Sequence, residues 1–162
     1  MRLGEIIAIE NQHVHDGYIA VEQAWAQRYG FTEPKWGSRR VVPIPSRTAA
    51  CLRELISFTF HPEPDSLVFF GIERRKPIDH RTVSQALYRA LANVGITDDV
   101  RRERNVTFHS WRHWFNTQMR TRVPDVKPRR VTGHKTVQMT ELYTHFNEHD
   151  FADVAVAQED LL

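Results

Sequence analysis

Apolar and polar residues repeat with two different periods along this chain, and the changes of period mark its elements. The opening Met1-Arg2-Leu3-Gly4-Glu5-Ile6-Ile7-Ala8 has the spacing of a helix, with no capping residue and almost no lead-in. Asp16-Gly17 is a hairpin-turn signal, and Ile19, Val21 and Gln23 after it alternate as a strand does. A second strand is expected at Arg39-Arg40-Val41-Val42-Pro43-Ile44. Between the two, residues 28–38 read as a loop rich in turn formers, from which Lys35 should project.

From there the helical period takes over. Ser46 or Thr48 can cap a helix that turns Leu52, Leu55 and Ile56 inward, and Leu67-Val68-Phe69-Phe70 is a short buried run. Residues 79–94 predict a helix with Val83, Leu87, Leu91 and Val94 on one face. Between Thr107 and Met119, large apolar groups at Trp111, Phe115 and Met119 predict an amphipathic helix on the core, with His109 and Arg112 off its stripe. Pro128 suits a first helical turn, Gly133 a C-cap, and Thr136 the cap of a following helix that carries Met139 and Tyr143. In the tail, residues 147–162, the positions Phe151, Val154, Ala155 and Gln158 leave an apolar stripe on a segment too short to stand alone. The pattern predicts an α+β fold, mainly helical, with a small antiparallel sheet near residues 13–44.

Composition narrows the picture. A chain of 162 residues fits one domain that can bury a core without disulfides or a structural metal. The lone Cys51 has no partner for a disulfide or a zinc site, which makes a cytosolic address the default. No apolar run approaches the roughly 20 residues of a membrane span, and the N-terminus lacks the layout of a signal peptide. The formal charge of +2 conceals clumps at Arg39-Arg40, Arg74-Arg75-Lys76, Arg101-Arg102 with Arg104, and Arg120 through Arg130. Such clumps also arise on solvated loops and helix faces. They keep nucleic acid among the candidate partners, because phosphate contacts supply most sequence-independent DNA affinity.

Chemistry begins at His109-Ser110-Trp111-Arg112, where the i, i+3 spacing sets an imidazole beside a guanidinium on one helix face. Arginine offers a planar fork matched to phosphate oxygens, and histidine moves protons near neutral pH. Tyr143 lies nine residues beyond His134, so on one continuous helix the two would point to opposite sides, ~13 Å apart along the axis. A break at Gly133-His134-Lys135-Thr136 would let both address one phosphate.

Four separated stretches carry a resemblance. Arg2-Leu3-Gly4-Glu5, His109-Ser110-Trp111-Arg112, Gly133-His134-Lys135 and Met139-Thr140-Glu141-Leu142-Tyr143-Thr144-His145 resemble, in order and spacing, the boxes of tyrosine recombinases, the phage and mobile-element integrases among them. The resemblance runs from Met1 to about Phe146. It implies a partial catalytic domain over residues 1–146 and a tail helix that can be exchanged between protomers over 147–162. Arg2 then matches the first catalytic arginine, Arg112 the second, His109 and His134 the two imidazole positions, and Tyr143 the nucleophile. Lys35 matches the hairpin lysine through Lys35-Trp36-Gly37-Ser38-Arg39-Arg40-Val41-Val42-Pro43-Ile44, and Glu5 an acidic position that supports the first arginine. The family also carries a helix before the first arginine and, upstream, a helical domain that closes a clamp around DNA. Neither has a counterpart here, so the chain reads as truncated at its N-terminus.

The implied chemistry is site-specific recombination, integration or excision, through a 3′-phosphotyrosyl intermediate. Arg2 and Arg112 would hold the non-bridging oxygens as negative charge develops, which removes the need for a metal or any other cofactor. His109 and His134 would help take the proton of Tyr143, whose ordinary pKa of ~10 makes it a poor nucleophile when protonated. Lys35 would protonate the departing 5′ oxygen. Double-stranded DNA is the implied partner, with a homo-oligomer on it, a tetramer in the synaptic complex, and a cytoplasmic, nucleoid-associated address.

Other readings compete. His109 with His113, and His145 with His149, have an i, i+4 spacing that binds zinc when a third ligand converges, yet the glutamate of the protease motif does not follow His109. Trp111 and Trp114 read as core residues, and Trp36 as a group that touches DNA or supports Lys35. A type IB topoisomerase uses the same chemistry, but the Gly133-His134 box and short tail favour a recombinase. A non-catalytic DNA-binding fragment is the alternative from another class.

Overall fold

The structure, a computed structural model, describes residues 1–73, 75–133, 152–159 and 161. Tyr143, His134 and the helix expected after Thr136 lie outside the described residues. Among those described, seven helices surround two small antiparallel sheets, which agrees with the mainly helical α+β expectation. None of these helices is long and apolar enough to cross a membrane.

The chain opens with α1 (Leu3–Ile6). The reading of an uncapped start is corrected here, because the Glu5 carboxylate accepts the Arg2 backbone N–H at 2.7 Å and closes the first turn. The helix rests directly on backbone: a Cβ on Gly4 would lie 2.6 Å from the Trp25 carbonyl oxygen, so only glycine allows this approach.

Strands β1 (Val14–His15), β2 (Tyr18–Val21) and β5 (Arg40–Pro43) form one sheet in the order β1-β2-β5, its first turn at Gly17 with φ of 84°. Strand β2 stops at Val21, short of the expected Gln23, whose amide instead donates to the Ala8 carbonyl at 2.9 Å. Part of the expected loop is itself a hairpin, β3 (Ala24–Ala26) with β4 (Gly30–Thr32), pinned by an edge-to-face contact of Trp25 and Phe31 at 4.9 Å. Strands of three residues are too short for any alternation to be legible. A 3-10 turn, Lys35–Gly37, then leads into β5.

The register explains the core. Ile19 faces Val42 and Val21 faces Arg40, and directly opposed residues share a sheet face. Ile19, Val21 and Val42 are buried there, so Arg40 points inward too. One apolar cluster joins Ile9, Ile19, Ile44, Ala49 and Val68; the other joins Val21, Val42, Met119, Val123, Val131, Val154 and Ala157.

Helix α2 (Ser46–Ser57) has Pro45 at its N-cap in place of a side-chain cap from Ser46 or Thr48; the Ser46 N–H donates to the Glu159 carboxylate at 3.2 Å. Leu52 and Ile56 pack inward as expected, whereas Leu55 is exposed. In α3 (His80–Asn93) the Asp79 side chain caps the helix by accepting the Arg81 N–H at 2.8 Å, and Leu91 is buried, but Val94 lies past the helix end and is exposed. Helix α4 (Asp98–Glu103) follows, and Arg101 stacks on the Tyr88 ring at 3.9 Å.

Helix α5 (Ser110–Arg120) departs most from its expected face. The buried positions are Arg112, Asn116 and Met119, while Trp111 and Trp114 are exposed and wall an apolar groove of about 320 Å³ beside Arg112. The stripe is rotated toward Arg112 because its guanidinium has a buried partner, described below. Helix α6 (Val126–Thr132) holds Pro128 in its first turn and ends at Gly133 with φ of 66°, the left-handed cap that glycine accepts without strain. Helix α7 (Ala152–Glu159) lays Val154 and Ala157 into the second cluster, and Gln158 donates to the Pro43 carbonyl at 3.2 Å.

Candidate active site

Four segments far apart in the chain meet around one carboxylate. Glu5, with a side chain 1% exposed, takes two bonds from Arg40, Nη2 to Oε2 at 2.6 Å and Nη1 to Oε1 at 3.2 Å, and a third from Arg2 Nη1 at 3.0 Å. Bidentate pairing of this kind fixes the guanidinium plane as well as balancing charge. Burial alone would raise the Glu5 pKa, but the hydrogen bond and charge of Arg40, with the backbone and side chain of Arg2, overcome it and hold the carboxyl down at about 2. Glu5 thus holds both the backbone N–H and the guanidinium of Arg2.

Arg40 extends the network. Its Nε donates to the Val131 carbonyl at 2.7 Å and its Nη1 to the Ser38 carbonyl at 3.2 Å, so one buried side chain joins α1, the lysine turn and the last turn of α6. Arg112 reaches the same turn of α6, with Nη2 donating to the Thr132 carbonyl. The Thr132 hydroxyl donates back to the Pro128 carbonyl at 2.7 Å, which tightens that turn. Two guanidiniums therefore grip successive carbonyls immediately before Gly133.

The arginines also feel one another. The Arg112 pKa is lowered to about 10 by burial first and then by the charge of Arg2, against the pull of Glu5 and with a further push from Arg40. It stays cationic at neutral pH. His109 precedes α5, is exposed, and stacks edge-on with His113 at 4.9 Å. Burial, then the charges of His113, Arg112 and Arg2, depress its pKa. A neutral imidazole thus sits beside two fixed cations, an arrangement that can bind an anionic oxygen and accept a proton.

Of the residues singled out from the sequence, Arg2, Glu5, His109 and Arg112 come together here. Lys35 sits one turn away: it is exposed, opens the 3-10 turn, and has its carbonyl held by the Ser38 hydroxyl at 3.0 Å. Its turn reaches the site through Ser38, since a Cβ on Gly133 would lie 3.2 Å from Ser38 Oγ and 3.5 Å from the Arg40 guanidinium carbon. His134 directly follows Gly133. Among the described residues, no group of three or more His, Cys, Asp and Glu side chains is placed to hold a metal. Arg40 was not singled out as a site residue and was read as part of a strand, of the stretch that matches Lys35 and of a basic clump. The signal was present in the alternation Arg40, Val42, Ile44, which puts an arginine on the core side of its strand, where it requires a carboxylate partner.

No curated protein matches the sequence. A structure of the Tn1549 transposon integrase in complex with a circular intermediate DNA superposes with a TM-score of 0.64 at 16% identity, covering 100% of this chain and 55% of that one. A second structure of the same integrase with circular intermediate DNA gives a TM-score of 0.63 at 16% identity, covering 100% of this chain and 56% of that one. The chain thus spans little more than half the length of these structural relatives, and at that identity the likeness shows the fold, that of a tyrosine recombinase catalytic domain. The sequence profile of the Phage integrase family matches residues 1–150, and the chain belongs to that family.

Proposed function

We propose that this chain is the catalytic part of a tyrosine recombinase that cuts and rejoins double-stranded DNA for site-specific integration or excision. The observation that carries the reading is the network of Glu5 with Arg2 and Arg40, beside which Arg112 and His109 lie near enough to feel the charge of Arg2. The family membership and the DNA complexes of the structural relatives support it.

In this reading Arg2 and Arg112 hold the non-bridging oxygens of a phosphodiester. Fixed cations in a preorganised frame stabilise the charge that develops on them without reorganising during the reaction. The Tyr143 hydroxyl attacks phosphorus, its proton passes to an imidazole, His109 or His134, and the bond to the 5′ oxygen breaks as Lys35 protonates that oxygen. The phosphotyrosyl bond conserves the energy of the cleaved linkage. A second 5′ hydroxyl can therefore reverse the steps and join a different strand.

The oligomer on DNA, a tetramer at synapsis with the tail helix exchanged between protomers, belongs to the same proposal, as does a cytoplasmic, nucleoid-associated address. The test is covalent capture. The 162-residue chain is incubated with a pool of nicked duplexes of random sequence, in which a cleaved strand is lost by diffusion and the adduct cannot be reversed. An adduct stable to denaturant in the wild type and absent in Tyr143→Phe is expected. An adduct that persists in Tyr143→Phe would refute the nucleophile.

A further inference from the structure

Arg40 has no role in the chemistry described above, yet its side chain binds three separate segments around the site. It is 6% exposed and places four donor contacts on three residues: both oxygens of Glu5, the Val131 carbonyl and the Ser38 carbonyl. Stability alone does not call for this arrangement. A buried ion pair is often replaceable by apolar residues at no loss, and Val21 and Val42 next to Arg40 show that this sheet face accepts them. What only an arginine supplies is a rigid planar fork that can fix three backbone segments relative to one another.

Each segment leads directly to a group of the proposed reaction. Glu5 also holds Arg2. The Val131 carbonyl adjoins Thr132, whose own carbonyl takes Arg112, and the chain continues through Gly133 to His134. Ser38 is the C-cap of the 3-10 turn that Lys35 opens, and its hydroxyl donates back to the Lys35 carbonyl. Within the turn the Gly37 N–H donates to the Pro34 carbonyl at 2.8 Å, the Arg39 N–H to the Gly37 carbonyl at 2.9 Å, and the Arg39 side chain to exposed Glu33 at 3.3 Å.

We infer that Arg40 is a positioning residue, which locks the Lys35 turn to the Glu5–Arg2 pair and to the end of α6, so that the acid and the phosphate-binding arginines share one rigid frame. The inference rests on the recombinase reading for the chemistry, though not for the geometry. A tether that is loosened by ~1 Å is enough to cost about 10²-fold in rate. The main consequence falls on the leaving group, because Ser38, whose carbonyl Arg40 binds, also holds the Lys35 carbonyl through its hydroxyl.

The test compares leaving groups in the 162-residue chain. Arg40→Lys keeps a cation opposite Glu5 but lacks the fork that reaches Ser38 and Val131 together. On a nicked duplex recovered from the random pool, adduct formation should fall about 10²-fold. On the same duplex with sulfur in place of the bridging 5′ oxygen, the loss should shrink to less than about tenfold, since a thiol of pKa ~8.5 departs without an acid. DNA affinity should stay near that of the wild type. In a Lys35→Ala background Arg40→Lys should add little. Equal losses on the two leaving groups, or full wild-type cleavage by Arg40→Lys, would overturn the inference.

Two further arms keep the result decisive. If Arg40→Lys does not fold, Ser38→Ala, which removes one bond from the turn, should show a smaller loss of the same sulfur-reversible kind, and a loss not reversed by sulfur counts against the inference. Amide hydrogen exchange needs no activity. Protection at Gly37, Arg39 and Gly133 should fall about tenfold in Arg40→Lys while that of Ala20 and Val21 in β2 holds. If the wild type forms no adduct on either duplex, the reading that this chain cleaves DNA by itself fails, and the exchange result alone then decides whether Arg40 fixes the turn.

Discussion

Arg40 and Glu5, 35 residues apart in the chain, are joined by bonds of 2.6 and 3.2 Å while both side chains are almost sealed from solvent. Such a pair is costly to break from one side, because the partner left behind is a buried, uncompensated charge. Glu5→Gln should therefore destabilise the fold by about 3–5 kcal/mol, read as a lower midpoint in urea denaturation with unchanged slope. A loss below about 1 kcal/mol would mean that water reaches Arg40 and replaces the carboxylate.

The same carboxylate sets an acid limit on stability. Its pKa falls from the ordinary 4.5 to about 2 on folding, so the unfolded chain binds the proton more readily. The contribution, about 3 kcal/mol from a shift of this size, is complete above pH 4.5 and is lost as the pH falls from there toward 2. Urea midpoints measured across this window should decline in the wild type and decline less in Glu5→Gln. Parallel slopes in the two proteins would assign the acid sensitivity to other carboxylates.

His109 gives a second pH signature, at higher pH. Burial, and then the charges of His113, Arg112 and Arg2, push its pKa below the usual histidine range, so it is neutral at pH 7. Removing one repelling charge should raise it. In an NMR titration the His109 imidazole of His113→Gln is expected to titrate at higher pH than in the wild type, and the acidic limb of adduct formation should move up with it. A limb that stays in place while the NMR pKa moves would transfer the proton-accepting role to His134.

These effects show which parts of the fold the sequence could disclose. The β2 and β5 strands were legible because the Asp16-Gly17 turn and the alternation of Ile19 with Val21 come from local residue choice. The α6 end at Gly133 was legible for the same reason, as only glycine sits easily at φ of 66°. The β3–β4 hairpin was not, since its strands are three residues each and owe their pairing to the Trp25–Phe31 contact and to α1 above them. The face of α5 was misjudged by counting Trp111 as core and Arg112 as surface. A tertiary partner, the Thr132 carbonyl, decides that orientation, and no local period records it. Arg40 lay between these cases: its inward direction was readable, its partner 35 residues away was not.

Substitutions in the proposed chemistry should separate binding from cleavage. Tyr143→Phe removes one hydroxyl and no phosphate-binding charge, so it should abolish the covalent adduct with DNA affinity nearly unchanged. Arg112→Ala removes a cation and also the bond to the Thr132 carbonyl. It should lower cleavage by about 10²–10³-fold or more, weaken DNA binding and reduce stability by about 1–3 kcal/mol. Gel shift, adduct yield and thermal melting measure the three separately. Tight binding retained by Arg112→Ala would place the phosphate elsewhere.

The tail makes the last prediction, and the structure changes its terms. From sequence alone the apolar stripe of the tail packs either on its own domain or on a neighbouring protomer, and on the second reading residues 150–162 could be removed without harm to the fold. Instead α7 completes the core: Val154 is 0% exposed among Val42, Met119 and Val131, and Lys127 pairs with Asp153 at 2.7 Å. Val154→Ala should cost about 2 kcal/mol through lost transfer energy and a residual cavity. Deleting residues 150–162 should cost more, because it opens that apolar surface to water and leaves the Pro43 carbonyl without Gln158. The exposed surface is also what a neighbouring protomer's α7 would cover if tails are exchanged on DNA. Mixing the deletion variant with a chain that is intact in its tail but carries Tyr143→Phe then separates the two arrangements. Under exchange, the intact tail docks on the truncated chain, raises its thermal midpoint in the presence of DNA and restores an adduct on its Tyr143. If the mixture gives neither the higher midpoint nor the adduct, α7 serves its own chain alone.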